Sequence, residues 1–235
     1  MAAQLRQLRA VIFDMDGLMI DSEPLWHVAE KECFGAVGVV LSDAQCEETT
    51  GLRIDEVVAM RFAQAPWAGA SVEEVAARIV AKMAELLRAS VAALPGLGAL
   101  LELLRARGVP LAVASSSPMV LIDAALDGLQ LREYFAHVVS AQGLAHGKPH
   151  PEVYLNAAAA LGVAPTACLA LEDSLNGALA AKAARMACIV VPEEQARAKP
   201  QFAIADAQLG SLCEVDAALL RRLGLVAFAD DRGGQ

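Results

Sequence analysis

The spacing of apolar residues along the chain changes character twice. A short apolar run, Ala10–Phe13, predicts one buried β-strand near the start of the chain. Beyond it apolar residues recur every three or four positions, which predicts three or four amphipathic helices, at 24–36, 42–50, 54–64 and 71–91. After Leu94-Pro95-Gly96 the pattern alternates between short apolar runs and helical periodicity.

The alternating region predicts a parallel β-sheet with helices on both of its faces. Strands are expected at 110–114, 137–140, 167–171 and 187–191, with helices at 96–107, 118–128, 151–161 and 174–184. A regular succession of strand and helix is typical of parallel β-α-β units, whose helices cover the sheet. A last, weaker pair at 202–205 and 212–223 is expected to close this unit.

The helical block is too long to be a loop between two strands, so it predicts a second, smaller domain. We expect an α/β core made of residues 1–24 and 93–228, with residues 25–92 inserted as a helical cap. The polar residues 229–235 are expected to form a disordered tail.

Composition and charge narrow the class of protein. The chain has 235 residues, of which 56% are hydrophobic, so a sizeable core is expected. A net charge of −9 without any long Lys/Arg cluster argues against a nucleic-acid partner. Five scattered cysteines without a Cys-x-x-Cys pair argue against a disulfide framework and a zinc site. With no apolar run of about 18 residues and no secretory segment at the start, we expect a soluble, cytoplasmic, monomeric protein with no membrane contact.

Two carboxylates follow the first predicted strand directly. Asp14 and Asp16 are separated by one residue, and Gly17 lets the backbone turn after them. In extended backbone both side chains point to the same side, so both could address a divalent metal and a phosphate. An acidic turn at a strand end is the competing interpretation, because Asp and Gly are common turn residues.

Two further motifs stand at strand ends or in front of helices. Ser115 and Ser116 end the second strand, where a hydroxyl and free amides suit a phosphate oxygen; an N-cap serine is the simpler interpretation. Lys148 stands between Gly147 and Pro149, which leave it less freedom to lose on pairing with a phosphate. A solvated loop lysine is the alternative.

A second pair of carboxylates, Glu172 and Asp173, ends another apolar run. In a parallel sheet this pair meets Asp14 and Asp16 at the same edge, which places three or four acids around one point. Such a cluster favours a hard cation, and oxygen ligands favour Mg²⁺. Gly177, one turn into the next helix, is a candidate for a close approach of backbone.

The order Asp-x-Asp, Ser, Lys and Glu-Asp resembles the four motifs of the haloacid dehalogenase superfamily of phosphotransferases. Within it the chain is similar to the bacterial hexitol phosphatase and 2-deoxyglucose-6-phosphate phosphatase type, through FDMDGL at 13–18, DSEPLW at 21–26, GLRID at 51–55, KPHP at 148–151 and KAARM at 182–186. The resemblance implies a Rossmann-like core with a helical cap inserted after the first strand.

The resemblance also implies roles for the acidic residues. Asp14 would be the nucleophile that forms an aspartyl phosphate, and Asp16 the general acid and base. Mg²⁺ would be held by Asp14, Asp173 and the backbone carbonyl of Asp16, with Glu172 supporting a bound water.

Substrate binding is assigned by the same resemblance. Ser115, Ser116 and Lys148 would hold the transferring phosphate of a small phosphorylated metabolite. Trp26 offers an apolar plate to a sugar face, although packing at a hinge explains a tryptophan there equally well. Arg53 is assigned to substrate binding, but its spacing from Gly51 argues against a grip on the second phosphate that a mutase binds.

Three functions are consistent with these motifs. A Mg²⁺-dependent sugar-phosphate phosphatase is favoured over a phosphomutase of the β-phosphoglucomutase type and over a non-catalytic phosphometabolite-binding protein. The mutases carry a histidine where this chain has Trp26 and a lysine where it has Thr50. In the mutases the arginine follows the cap glycine by three residues, whereas here Arg53 follows Gly51 by two.

Overall fold

A computed structural model describes residues 7–228 of the chain. Its centre is a six-stranded sheet in which every neighbouring pair of strands is parallel, in the order β3-β2-β1-β4-β5-β6. The strands are β1 (Ala10–Phe13), β2 (Leu111–Ser115), β3 (His137–Ser140), β4 (Cys168–Glu172), β5 (Ala187–Val190) and β6 (Ala207–Gln208). The first strand of the chain therefore lies in the middle of the sheet.

The two faces of the sheet carry different side chains because successive residues of a strand point in opposite directions. In β1, Val11 and Phe13 pack on the face covered by α5 (Leu97–Ala106), α6 (Met119–Gly128) and α9 (Ala217–Leu223). Ala10 and Ile12 pack on the opposite face with α7 (Glu152–Ala160) and α8 (Leu175–Ala183). The predicted Rossmann-like sheet with helices on both faces is confirmed.

Four helices separate β1 from α5 and β2. They are α1 (Glu23–Gly35), α2 (Asp43–Glu47), α3 (Ile54–Gln64) and α4 (Val72–Ser90). Capping boxes start α2 at Ser42 and α4 at Ser71, since each serine accepts from a backbone N–H that the helix leaves unpaired. Helix α4 packs on α1 and α3 and also touches α6. The division into a core and a cap of residues 25–92 remains our interpretation of this arrangement.

The first member of the last predicted pair differs from the structure, whereas the second contains a 3₁₀ turn at Leu212–Glu214 and then α9. Residues Pro200–Ile204 form a 3₁₀ helix, and the closing strand β6 follows it. Of the short apolar run at 202–205 only Phe202 is buried, at 2% exposed, and so short a run does not distinguish a strand from a helical turn. The expected tail at 229–235 lies outside the described residues.

All five cysteines are free thiols, four of them buried. None of the helices described in residues 7–228 combines the length and apolar character needed to cross a bilayer.

Candidate active site

Strand β1 delivers Asp14 to the middle of the carboxyl edge of the sheet. The backbone N–H of Asp14 donates to the carbonyl of Leu171 at 3.0 Å, which continues the pairing of β1 with β4. Because β1 lies between β2 and β4, residues that follow those strands approach Asp14 from both sides. The side chain of Asp14 is buried.

Lys148 is the buried cation of the site. Its Nζ lies 2.5 Å from Asp14 Oδ1 and 2.6 Å from Glu172 Oε1. Burial lowers the pKa of Lys148, but the carboxylates of Asp14 and Glu172 outweigh that effect and raise the pKa above its usual value. The ammonium group therefore stays charged although it is out of water.

Hydrogen bonds fix both oxygens of Glu172. Oε1 also accepts from the hydroxyl of Tyr154 at 2.6 Å, and Oε2 accepts from the backbone N–H of Asp173 at 3.1 Å and from the hydroxyl of Ser174 at 3.2 Å. Helix α8 comes so close that a Cβ on Gly177 would lie 1.8 Å from Glu172 Oε1. The predicted close approach at Gly177 is confirmed, because only a glycine leaves room for this carboxylate.

The backbone turns at Gly17, as expected, after Asp14 and Asp16. Its φ is +71°, in the left-handed region, and a Cβ there would lie 2.2 Å from Asp173 Oδ2. The glycine therefore lets the loop after β1 and the loop after β4 touch.

Three buried carboxylates surround one point of the sheet edge. Oxygen atoms of Asp14, Glu172 and Asp173 lie within 4.8 Å of one another. Burial raises the pKa of Asp14 to about 8, against the opposing effect of Lys148, and burial together with Glu172 and Asp14 raises the pKa of Asp173 well above its usual range. One ammonium group does not balance three carboxylates. This oxygen-only, cation-deficient cluster fits Mg²⁺.

Asp16 has surroundings unlike those of Asp14. Its Oδ1 accepts from the hydroxyl of Ser22 at 2.7 Å and from the indole N–H of Trp26 at 3.1 Å, and its Oδ2 accepts from the hydroxyl of Ser117 at 2.7 Å. Ser22 stands at the N-cap of α1 but gives its hydroxyl to Asp16 rather than capping the helix. Neutral donors therefore hold Asp16, whereas a lysine holds Asp14.

The two predicted serines lie at the same edge but point differently. Ser115 is fully buried; its Oγ accepts from the backbone N–H of Ser117 at 3.0 Å and lies 3.5 Å from Asp16 Oδ2. Ser116 lines the cavity beside Asp16, and its hydroxyl donates to the carbonyl of Gly51 at 2.8 Å. Their roles toward a phosphate stay predictions.

Arg53 does not line the cavity that contains Asp14 and Asp16. Its guanidinium donates to the carbonyl of Ala141 at 3.2 Å and to that of Leu144 at 2.5 Å, and it forms a bidentate pair with Asp55 at 2.9 and 2.6 Å. In this conformation Arg53 joins the inserted helices to the loop after β3. Its predicted contact with substrate would require it to leave these partners.

Segment 50–56 of the insert is joined to the core by several hydrogen bonds, which we call the latch. The latch includes the two bonds from Arg53 to the carbonyls of Ala141 and Leu144. In the three other bonds, Ser116 Oγ donates to the carbonyl of Gly51 at 2.8 Å, Asn176 Nδ2 donates to the carbonyl of Thr50 at 3.0 Å, and the backbone N–H of Gly147 donates to Glu56 Oε1 at 2.9 Å.

A cavity of about 50 Å³ lies between the inserted helices and the sheet edge. Asp14 and Asp16 form its floor, and Glu23, Trp26 and Glu30 of α1 line it from the insert. Burial raises the pKa of Glu23 to about 8, with Asp16 and Glu193 adding to the shift. The inserted helices thus cover the carboxyl edge of the sheet at Asp14 and Asp16.

Several residues of the site could not be assigned from the sequence. Tyr154 carries no signal in its neighbourhood, because its importance depends on which side chain it meets across the fold. Ser117 belongs to the serine run after the second strand, but its contact with Asp16 was not assigned. Ser22 belongs to the DSEPLW segment, where its neighbours suggested a cap. Glu30 stands out only as a charged residue on the buried face of a helix.

Comparison with known proteins identifies the family. A model of haloacid dehalogenase-like hydrolases matches residues 8–185. Hexitol phosphatase B of Escherichia coli (strain K12) is 46% identical over 213 residues, which cover 90% of this chain and 96% of that protein. Among solved structures, CbbY from Rhodobacter sphaeroides in complex with phosphate has a TM-score of 0.80 at 30% identity, covering 94% of this chain and 99% of that one. β-Phosphoglucomutase from Clostridium difficile has a TM-score of 0.81 at 21% identity over 93% and 97% of the chains, a likeness of fold alone.

The order of the four motifs, their meeting at one sheet edge and the match over most of the chain agree with one another. The chain belongs to the haloacid dehalogenase-like hydrolase family.

Proposed function

We propose that this phosphatase hydrolyses small sugar phosphates, such as hexose phosphates similar to 2-deoxyglucose 6-phosphate, or hexitol phosphates. The reaction uses Mg²⁺ and passes through an aspartyl phosphate on Asp14. We further propose that the protein acts in the cytoplasm and as a monomer. The similarity to a hexitol phosphatase along nearly the whole length supports the substrate class.

One observation carries the proposal. The ammonium group of Lys148 bridges Asp14 and Glu172, Asp173 completes a cluster of three carboxyl groups with them, and Asp16 faces the same cavity as Asp14 with different partners. Phosphoryl transfer needs in-line positioning and neutralisation of oxygen charge, and an attacking carboxyl group beside a buried cation supports this chemistry.

In the first half of the reaction an oxygen of Asp14 attacks phosphorus and the bond from phosphorus to the sugar oxygen breaks. Asp16, in its protonated form, gives its proton to the departing sugar oxygen. Lys148 balances charge on the phosphate, and Ser115 and Ser116 hold its remaining oxygens. The products of this half are a free sugar and phosphorylated Asp14.

In the second half water attacks phosphorus and the bond to Asp14 breaks. Asp16 accepts the proton of that water, which restores both acids and releases inorganic phosphate. Trp26 keeps Asp16 in place through its indole N–H, so the proton is moved at a fixed atom.

Asp14, Asp173 and the carbonyl of Asp16 would hold Mg²⁺, with Glu172 supporting a bound water. When bound, the ion would offset negative charge on the phosphate oxygens and on these acids.

A mutase of the β-phosphoglucomutase type is the second candidate, and the cavity argues against it. Such an enzyme must grip a second phosphate, but the described residues that line the cavity include no Lys or Arg. Trp26 and Thr50 stand where the mutases carry basic residues, and Arg53 is held in the latch.

A phosphate-release screen tests the proposal. The wild-type protein is given a panel of hexose, hexitol and triose phosphates, with Mg²⁺ and with EDTA, and Asp14→Asn serves as the control. We expect release from six-carbon phosphates that needs Mg²⁺ and Asp14. No release from any member of the panel would overturn the assignment.

A further inference from the structure

Glu30 is a buried carboxylate on the insert side of the cavity that holds Asp14 and Asp16. Only 6% of the residue is exposed, and its Oε2 has no hydrogen-bond partner. Among residues 7–228, the only other buried side-chain N or O atom without a hydrogen-bond partner is Arg61 Nε. Leaving a buried acceptor unpaired costs free energy, so a donor is expected to meet it in the working enzyme.

The protein itself satisfies Glu30 poorly. The thiol of Cys46 is a weak donor to it, and burial raises the pKa of Glu30 to about 7 against the effects of Cys46 and Arg61. Arg61 directs its guanidinium elsewhere: Nη1 donates to Gln64 Oε1 at 3.1 Å and lies 3.6 Å from Glu48 Oε2, and Nη2 donates to a backbone carbonyl. Glu30 is therefore not half of a closed ion pair.

The periodicity of α1 places Glu30 relative to the reacting groups. Glu23, Trp26 and Glu30 follow at intervals of three and four, so they share one face of the helix, and all three line the cavity. The indole N–H of Trp26 is bound to Asp16 Oδ1. Glu30 lies one turn beyond Trp26, about 6 Å further along the helix axis. A substrate whose phosphate sits at Asp14 therefore reaches Glu30 with the end far from the phosphate.

The chemistry of the lining limits what that far end can be. Four carboxylates line the cavity, from Asp14, Asp16, Glu23 and Glu30, without a Lys or Arg among the described lining residues. A carboxyl group accepts hydrogen bonds from hydroxyl groups, whereas a second phosphate would meet carboxyl groups and His27 but no Lys or Arg in this described lining.

We propose that Glu30 is a specificity-determining residue that accepts hydrogen bonds from the far hydroxyls of a six-carbon polyol monophosphate and excludes bisphosphates. This inference rests on the proposed function. In this proposal α1 binds the neutral, hydroxyl-bearing end of the substrate, whereas the core binds the phosphate.

The test compares three variants on the same helix. Glu30→Leu removes both oxygens, Glu30→Gln keeps one acceptor and removes the charge, and Glu32→Leu is the matched control. Glu32 is two residues further on, mostly exposed, and pairs with Lys82 at the surface. Phosphate release gives kcat/KM for sorbitol 6-phosphate, glycerol 3-phosphate and fructose 1,6-bisphosphate, with Mg²⁺ present.

Each variant has a distinct expected result. Glu30→Leu should lower the ratio of kcat/KM for sorbitol 6-phosphate to that for glycerol 3-phosphate at least tenfold, because a site built for hydroxyls loses its acceptor. Glu30→Gln should lower this ratio less and should raise the relative rate with fructose 1,6-bisphosphate. Glu32→Leu should leave both ratios as in the wild type.

The outcomes separate this inference from the function on which it rests. An active wild type whose two ratios are unchanged by Glu30→Leu and Glu30→Gln would overturn the role of Glu30 alone. A wild type inactive on every sugar phosphate would overturn the proposed function. If Glu30→Leu does not fold, as judged by circular dichroism, the result with the nearly isosteric Glu30→Gln decides.

Discussion

Asp14 and Asp16 stand two residues apart and meet different partners. Asp14 is paired with a buried ammonium group, and Asp16 accepts hydrogen bonds from two hydroxyls and an indole. Asp14 presents its carboxyl group beside a buried ammonium group, which suits a nucleophile that must meet a phosphate. Asp16 faces the same cavity with separate partners, which suits a residue that exchanges a proton with the sugar oxygen and then with water.

We therefore expect Asp14→Asn to abolish the phosphoenzyme while the protein stays folded. Asp16→Asn should instead slow both halves of the reaction by about 10²- to 10⁴-fold, because a proton must be given and then taken back. Acid quenching with a ³²P-labelled substrate and pre-steady-state kinetics distinguish the two. Near wild-type turnover by Asp14→Asn would show that the nucleophile was misassigned.

Glu30 predicts a pH dependence of stability. Burial raises its pKa from 4.5 to about 7 in the folded protein, so between these values the folded state binds a proton that the unfolded state has lost. The free energy of unfolding therefore falls as pH rises through this range. Replacement by Gln removes the titration, and the facing groups Cys46 and Arg61 remain.

At pH 8 we expect Glu30→Gln to be more stable than the wild type by on the order of 1–3 kcal/mol, and at pH 4.5 the difference should vanish. Urea unfolding at both pH values measures it. Glu32→Gln, an exposed change on the same helix, should show no pH-dependent difference. A gap between wild type and Glu30→Gln that is constant with pH would contradict the raised pKa.

At the scale of elements, the site is made by strand ends. The loops after β1 and β4 touch through Gly17 and Asp173, and the lysine arrives from the loop before α7. The loops after β1 and β4 supply carboxyl groups and the loop before α7 supplies an ammonium group, so we expect loss of the cation and loss of a metal-binding acid to have different effects.

Lys148→Ala should weaken substrate binding and raise the barrier, since each missing charge-assisted contact costs on the order of 1.5–3 kcal/mol, or about 10- to 150-fold in kcat/KM. Asp173→Ala should fail through the metal, so its defect should shrink as Mg²⁺ is raised from 1 to 50 mM, roughly the concentrations at which a weakened site refills. Steady-state kinetics across this range measure both.

The surface variant Lys82→Ala is the control for loss of a lysine, because its side chain pairs with Glu32 away from the site. Equal responses of Lys148→Ala and Asp173→Ala to Mg²⁺ would count against the separate roles.

The elements also show what the sequence can predict. Asp14, Ser115 and Glu172 end apolar runs, and parallel strands bring such ends to one edge, so their meeting followed from the pattern. Tyr154 lies within a helix, and its contact with Glu172 depends on how that helix is rotated on the sheet. The sequence pattern predicts where a strand ends and which of its residues share a face. It does not predict how a helix is rotated on the sheet, and therefore not which helical side chain contacts a given acid.

Arg53 illustrates the same limit for the insert. Its place after a glycine in a motif suggested a contact with substrate, yet the closed insert gives its guanidinium to two core carbonyls. A backbone carbonyl has no counterpart in the sequence pattern, so this partner could not be predicted.

At the scale of the whole molecule, the closed insert decides between transfer to water and transfer to a sugar. A mutase must keep water from the phosphorylated aspartate while its intermediate turns over, which needs basic groups in the insert. The described residues that line this cavity include carboxyl groups and one histidine, His27, but no Lys or Arg.

We therefore expect β-glucose 1-phosphate, supplied with a bisphosphate primer, to yield free phosphate and no glucose 6-phosphate. Phosphorus NMR follows both products in one sample. Isomerisation that outruns phosphate release would show that the departures at Trp26 and Thr50 had been misinterpreted.

The latch has a consequence for how such an enzyme changes over evolutionary time. Every hydrogen bond in it has a main-chain atom on one side, from Thr50, Gly51, Ala141, Leu144 or Gly147. The contacts between the insert and the core therefore depend largely on main-chain atoms, which most substitutions leave in place. The inner wall of the cavity is instead made of side chains such as Glu30, which a substitution replaces. A descendant can exchange that wall and acquire a new substrate while it keeps the hydrogen bonds that hold the insert to the core.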